Sequence, residues 1–166
     1  MTTFIFIAGA PGSGKSTIAK SLSSKLDSPV FEFGWIPEFR NTGNNITTYR
    51  EDEALAFENL VLVTKNYAKH DFKNIIITDL ENYHIAEIKS IFTDFDYKIF
   101  TLTIDNDDLL KSRLTDSLRL NGYNNYEEAI KINREILDRE PFNNEMLIDA
   151  TNKSAEAIVE QILGQV

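Results

Sequence analysis

The residues best suited to chemistry form the run Gly-Ala-Pro-Gly-Ser-Gly-Lys-Ser at positions 9–16. This run matches G-x-x-x-x-G-K-[ST], in which glycines let backbone N–H groups turn inward around phosphate. At this spacing Lys15 would reach the β- and γ-phosphates, and the Ser16 hydroxyl would ligate Mg²⁺. The loop therefore predicts a site for a nucleoside triphosphate and Mg²⁺. The residues expected to bind the nucleotide are Gly9, Ala10, Pro11, Gly12, Ser13, Gly14, Lys15, Ser16 and Thr17.

A second acidic anchor ends the apolar run at positions 75–78, where Asp79 follows directly. In open α/β sheets ligands bind outside the carboxyl ends of the strands, so Asp79 would share a rim with the glycine-rich loop. Mg²⁺ needs hard oxygen ligands, which predicts that Asp79 supports the metal together with Ser16. Glu81 is a weaker candidate at the same rim, and the alternative for Asp79 is an ordinary strand-end residue.

The elements that must position these groups alternate between apolar runs and helical patterns, which is typical of βαβ units. The predicted strands cover 3–8, 30–33, 74–79, 97–104 and 146–149, and the predicted helices cover 15–26, 49–69, 83–92, 107–120, 126–139 and 154–163. We therefore expect one α/β domain over residues 1–166, with a five-stranded parallel sheet and helices on both faces. The apolar positions expected in the helix at 49–69 are Leu55, Leu60, Leu62 and Val63.

The bulk composition argues against several classes of partner. The 166 residues carry a formal net charge of −9, and an acidic protein gains nothing from counterion release on a phosphate backbone. No window approaches the roughly 18 apolar residues of a membrane span, and the start carries no basic n-region. The absence of cysteine excludes disulfides, a thiol nucleophile and a zinc–thiolate site. We expect a cytoplasmic monomer or homodimer without a nucleic-acid or membrane partner.

Three later segments resemble the small P-loop kinases, the group of shikimate, gluconate and nucleoside-monophosphate kinases. Residues 109–114 look like the arginine-bearing helix that enters the lid of these kinases, and residues 114–126 look like a short lid. Residues 147–154 resemble their final strand and the loop beside the nucleotide base. The resemblance implies a three-layer P-loop NTPase fold and direct transfer of the γ-phosphoryl group from ATP to a small-molecule acceptor.

The same resemblance implies roles for arginines. Arg113 would flank the adenine and the phosphates, and Arg119 with either Arg134 or Arg139 would stabilise charge on the transferring phosphoryl group. For Arg134 and Arg139 the alternative is pairing with neighbouring carboxylates at the surface. The lid departs from the usual close arginine pair, because Ser117 occupies the fourth position after Arg113 and displaces the pairing to Arg119.

In these kinases the acceptor binds after the second strand, a region that here covers about residues 31–70. The run Phe-Glu-Phe-Gly-Trp-Ile-Pro-Glu-Phe-Arg from position 31 offers apolar walls and a few polar groups, as a small-molecule pocket needs. Glu32 or Glu38 would take or orient the proton of the acceptor hydroxyl, and Arg40 would grip an anionic group. The alternative is that the aromatic residues are core and Glu32 faces outward.

Residues 79–83 read Asp-Leu-Glu-Asn-Tyr, without the arginine that grips the acceptor phosphate in nucleoside-monophosphate kinases. This departure favours an acceptor bearing a hydroxyl. Two alternatives stay open, a nucleoside or nucleotide kinase and a nucleotide-gated binding or resistance protein without phosphoryl transfer. No N-K-x-D motif is present, which favours ATP over GTP. His70 and His84 have no metal-ligand spacing and are expected at helix surfaces or boundaries.

Overall fold

Each strand is followed by one or two helices in the part of the chain that the structure, a computed structural model, describes: residues 3–35, 48–115 and 123–166. Within these ranges the strands are β1 (Phe4–Gly9), β2 (Val30–Glu32), β3 (Ile75–Thr78), β4 (Tyr97–Thr103) and β5 (Glu145–Asp149). The helices are α1 (Lys15–Leu26), α2 (Tyr49–Lys69), α3 (Asn82–Ile91), α4 (Asp107–Thr115), α5 (Tyr126–Asp138) and α6 (Ala155–Leu163), and a 3₁₀ turn at Phe33–Trp35 follows β2. The predicted elements are found, and the predicted extension of α4 to residue 120 lies partly outside the described residues.

The strands form one parallel sheet in the order β2-β3-β1-β4-β5. The central strand β1 lies between β3 and β4, with Phe4 opposite Ile75 on one side and Tyr97 on the other. Because the strands are parallel, their carboxyl ends meet at one edge, where the loops after β1 and β3 are direct neighbours. The predicted five-stranded parallel sheet is confirmed, and it brings the glycine-rich loop and Asp79 to the same rim.

Apolar side chains are buried on both faces of the sheet, as central parallel strands require. On one face Ile5 and Ile7 belong to a core cluster shared with α1 and α6. On the other face Phe4 and Phe6 belong to a cluster shared with α2 and α3, where the Phe4 and Phe92 rings meet edge-on at 4.7 Å. The two clusters separate sheet and helices into three layers, which confirms the predicted α/β architecture.

The buried face of α2 differs from the expected one. Leu60 is fully buried, but Leu55, Leu62 and Val63 are 45%, 68% and 40% exposed. The buried positions of α2 are spaced by the helical period and include a polar residue, Thr64. Its hydroxyl donates a hydrogen bond to the Leu60 carbonyl at 2.8 Å and so can be buried without a bond to water. Within the described ranges, neither α2 nor another helix is long and apolar enough to cross a membrane.

Candidate functional site

The glycine-rich loop leaves β1 at Gly9 and enters α1 at Lys15. Gly9 has φ +132°, and a Cβ placed there would lie 2.4 Å from the Leu102 carbonyl oxygen of the neighbouring strand β4. Gly14, the residue before α1, has φ +105°, makes no side-chain capping bond, and would place a Cβ in open space. The loop thus presents the amino end of α1 to an unobstructed volume, which suits phosphate oxygens.

Lys15 is held over this loop by backbone carbonyls. Its side chain is largely buried, and its Nζ donates to the carbonyls of Gly9 at 2.9 Å and Ala10 at 3.2 Å. The same Nζ lies 4.0 Å from Asp79 Oδ1. These contacts offset the cost of burying the ammonium and keep it between the loop and the end of β3.

Oxygen-bearing side chains surround the start of α1. The Ser16 hydroxyl donates to Glu32 Oε1 at 3.4 Å, which brings the end of β2 to the loop. Asp79 follows β3 with φ +68°, the left-handed conformation that Asp and Asn adopt more readily than most residues. Among the described residues no three Asp, Glu, His or Cys side chains are grouped to hold a metal. Mg²⁺ usually binds through one or two protein carboxylates and substrate phosphates, so Ser16 and Asp79 fit it.

Two clefts meet at this rim. The large cleft, of about 750 Å³, runs from the loop along α1 to Arg113, Ala150 and Lys153. The small cleft, of about 260 Å³, lies between α3 and α5. The residues that line both clefts are Pro11, Lys15, Asp79, Glu81 and Tyr123. The Lys15 ammonium therefore lies at the junction of two spaces of different size.

Glu81 sits at that junction among other carboxylates. Partial burial raises the pKa of Glu81, and the negative charges of Glu53, Asp79 and Glu128 raise it further while Lys15 opposes them. The rim between the two clefts is consequently rich in negative charge, with Lys15 as the cation that counters it at Glu81.

The sequence-predicted arginines lie in different environments. Arg113 lines the large cleft, with its Nη2 3.4 Å from the Ala150 carbonyl. Arg134 is exposed and pairs with Asp107, so it matches the surface alternative. Arg119, Glu38 and Arg40 lie outside the described residues.

Arg139 is neither a cleft residue nor an ordinary surface arginine. Its guanidinium forms two 2.7 Å bonds to the carboxylate of Glu145, whose side chain is fully buried. It also donates to Asn82 Oδ1 at 3.2 Å and stacks on Phe142 with Cζ 3.9 Å from the ring centroid. These contacts tie the end of α5 to the starts of α3 and β5, a structural role in the described conformation.

Glu145 should make the free energy of unfolding depend on pH. Burial alone would raise the pKa of Glu145, but bonds from Arg139, Thr101 and the Phe142 N–H hold it below its ordinary value. The unfolded chain therefore takes up this proton first, and the stabilisation is lost as pH falls from about 4.3 through the lower folded pKa. Urea denaturation of Glu145→Gln should show a flatter pH dependence between about pH 5 and pH 3. An unchanged slope, or an equal flattening in the exposed Glu140→Gln, would contradict this prediction.

His84 is buried, so the surface alternative for it is wrong, but it lies in the first turn of α3, at the boundary of that helix. It is 2% exposed and its ring stacks on Phe57 at 4.1 Å and meets Phe33 at 5.3 Å. Desolvation lowers the pKa of His84. The histidine faces the buried side of α2, a packing that the local sequence around α3 does not reveal. His70, by contrast, is exposed at the end of α2, as expected.

Lys153 and Tyr123 line the large cleft, and they fall in the segments that the resemblance compared with the loop beside the nucleotide base and with the lid. Asn82 and Glu128, which line the small cleft, were missed by sequence reasoning. A signal existed for Glu128, because it precedes Ile132 and Ile136 at intervals of four and so lies on the same face of α5. No comparable signal marks Asn82, whose place depends on how α3 packs beside α5.

Comparison with known proteins gives matches among solved structures. No family model matches the chain, and no curated protein does so either. A sugar kinase from Janibacter sp. HTCC2649 aligns with TM-score 0.69 and 16% identity over 99% of this chain and 94% of the other. A gluconokinase from Sinorhizobium meliloti 1021 aligns with TM-score 0.67 and 12% identity over 98% of this chain and 90% of the other. The tunicamycin resistance protein of Deinococcus radiodurans aligns with TM-score 0.69 and 19% identity over 99% of this chain and 95% of the other.

At such low sequence identities, these matches are evidence about the fold alone. The matched structures span nearly the whole chain, including the segments that follow the glycine-rich loop. A shikimate kinase from Aquifex aeolicus also aligns, at TM-score 0.54 and 19% identity over 98% of this chain and 95% of the other. The resemblance seen in the sequence is therefore confirmed at the level of architecture: the chain has the three-layer α/β fold of the small P-loop kinases.

Proposed function

We propose that the chain is an ATP- and Mg²⁺-dependent phosphotransferase that moves the γ-phosphoryl group to a hydroxyl of a small molecule. The observation that carries the proposal is the meeting of two clefts at Lys15 and Asp79. A phosphotransferase needs one space for its donor and one for its acceptor, with the transferring group at the junction. The sugar kinase and gluconokinase among the structural matches agree with this reading.

The large cleft would hold ATP. Its volume of about 750 Å³ lies in the ordinary range of small-molecule sites. The phosphates would lie against the N–H groups of the loop and the amino end of α1, with the Lys15 ammonium on the β- and γ-phosphates. Arg113 and Lys153, on the far wall, would flank the rest of the nucleotide.

Ser16 and Asp79 would hold Mg²⁺, with Glu32 orienting the Ser16 hydroxyl through their 3.4 Å contact. When bound, this ion neutralises charge between the β- and γ-phosphates. The protein supplies oxygen ligands of the kind that Mg²⁺ prefers.

The small cleft would hold the acceptor hydroxyl in line with the γ-phosphate, which places the hydroxyl beside α3 and α5 rather than within the acceptor region expected at residues 31–70. The hydroxyl oxygen attacks phosphorus, the bond to the leaving oxygen of ADP breaks, and the hydroxyl proton leaves to a nearby oxygen base. Lys15 would stabilise charge on the transferring group, and Glu81, which lines both clefts, would accept a hydrogen bond from the hydroxyl. Glu38 and Arg119 stay candidates for proton transfer and charge stabilisation.

Asp79→Asn should weaken the response to magnesium. Loss of one carboxylate near the metal should raise the Mg²⁺ concentration for half-maximal activity about tenfold or more. Asn tolerates the left-handed backbone at this position, so the fold should persist. Asp71→Asn is a matched control, because Asp71 has φ +65° and is exposed away from both clefts. An unchanged Mg²⁺ titration curve for Asp79→Asn would contradict its role.

Acceptor-dependent ADP formation tests the proposed function. We expect ADP release in the presence of Mg²⁺ to rise when a suitable sugar, sugar acid, nucleoside or antibiotic is added. The tunicamycin resistance protein among the structural matches keeps a second candidate open, a nucleotide-gated resistance protein without transfer. ATP binding with no acceptor-stimulated ADP release across the whole panel would favour that second candidate.

A further inference from the structure

We infer that the acceptor is a hydroxyl compound that also carries a positively charged amine, and that Glu128 helps to select it. This inference rests on the proposed function, since it concerns the acceptor that would occupy the small cleft. It follows from the charges that line this cleft and from the way Glu128 is held. A cationic acceptor is the opposite of the anionic group that Arg40 suggested.

The small cleft has more carboxylates than its phosphate and metal chemistry requires. Its charged lining residues are Lys15, Asp79, Glu81 and Glu128. Lys15 would serve the phosphates and Asp79 the metal. Glu81, just before α3, would accept the hydrogen bond of the hydroxyl, and Glu128, in the first turn of α5, then remains without a role. Among the described residues that line the cleft there is no further cation.

Glu128 is held in place by its own helix. Asn125 Nδ2 donates to Glu128 Oε2 at 2.9 Å, and the Glu128 N–H donates back to Asn125 Oδ1 at 3.2 Å. Ile132 and Ile136 follow on the same face of α5 and line the cleft with Ile85 from α3. The carboxylate therefore stands at a defined place beside an apolar wall.

This lining favours one chemical class. The isoleucine side chains would pack on the carbon skeleton of an acceptor, while Glu81 and Glu128 would attract a protonated amine and repel a carboxylate or phosphate. Because Lys15 and both carboxylates line the same small cleft, such an amine would lie close to the reacting hydroxyl. A small amino sugar or a larger amino-polyol meets these requirements.

Polyhydroxyl acceptors that differ in charge test the inference. Glucosamine, glucose and gluconate provide a cation, a neutral compound and an anion, and kanamycin provides a larger polyhydroxyl cation. We expect kcat/KM to be highest for a cationic member and lowest for gluconate. Glu128→Gln, which keeps an oxygen for Asn125, should lower kcat/KM for the cationic acceptor about tenfold and change that for glucose less than about twofold.

Glu127→Gln is the matched control. Glu127 is also in the first turn of α5 and exposed, so its change alters net charge and the helix terminus in the same way without touching the cleft. Equal effects of the two substitutions, or a preference for gluconate over the cations, would overturn the inference.

Binding separates this inference from the proposed function. If none of the four compounds stimulates ADP release, the proposed function loses support. Calorimetric titration of glucosamine, kanamycin and gluconate into the full chain, with a non-hydrolysable ATP analogue and Mg²⁺ present, then decides the charge preference. Tighter binding of a cationic compound, weakened by Glu128→Gln, supports the inference, and binding without such a preference overturns it.

Discussion

Replacing Lys15 with alanine should lower ATP turnover about a thousandfold, because a preorganised positive charge on the transferring phosphoryl group contributes on this scale to catalysis. The ammonium is held by the Gly9 and Ala10 carbonyls at the junction of the two clefts. The methyl group of alanine cannot reach the phosphates. Steady-state ADP formation at saturating ATP and Mg²⁺ measures the effect.

Lys20→Ala is the control for this substitution. Lys20 lies on the same helix, α1, but is exposed and does not line either cleft. Both variants should show cooperative thermal unfolding, so that the activity difference reports on the site. Turnover of Lys15→Ala within about tenfold of the wild type would be incompatible with the catalytic role given to Lys15.

Gly9→Ala should lower the free energy of unfolding by about 4 kcal/mol, because two unfavourable effects combine. A Cβ at this position would lie 2.4 Å from the Leu102 carbonyl oxygen and 2.8 Å from Ser13 Oγ, and the backbone has φ +132°. The Leu102 carbonyl belongs to the β4 ladder beside β1, so it cannot move without disturbing the sheet. Urea denaturation monitored by circular dichroism measures the change.

Gly14→Ala separates backbone strain from steric clash. Gly14 also has a positive φ, +105°, but a Cβ there would meet nothing within 4 Å. We expect this variant to lose only about 1–2 kcal/mol, the cost of the unfavourable backbone conformation. Equal destabilisation by the two substitutions would show that the contact with the Leu102 carbonyl does not contribute to the cost of Gly9→Ala.

The parts of the site that the sequence predicted are those set by local chain geometry. The loop at 9–16 joins a strand directly to a helix, and Asp79 follows the strand next to it, so covalent connection and parallel pairing bring them to one rim. The placement of Arg113 on the large cleft follows similarly from the start of α4 after β4.

The remaining parts depend on packing between distant elements. The small cleft exists because α5 lies beside the start of α3, a relation that neither segment specifies alone. His84 is buried by Phe33 and Phe57 from other elements, and Arg139 finds its partner in Glu145 at the start of β5. In α2 the buried face includes Thr64, whose hydroxyl bonds to a carbonyl of its own helix. The apolar residues of α2 alone therefore do not identify its buried face.

Transfer of the γ-phosphoryl group tests the central claim most directly. The full-length protein would be incubated with Mg²⁺, ATP labelled in the γ-phosphate, and the acceptor that most stimulates ADP release. We expect the label to appear in a phosphate monoester of that acceptor, in equal amount to the ADP formed, and Lys15→Ala to abolish this transfer. Label found only in inorganic phosphate would contradict phosphotransfer to a small molecule.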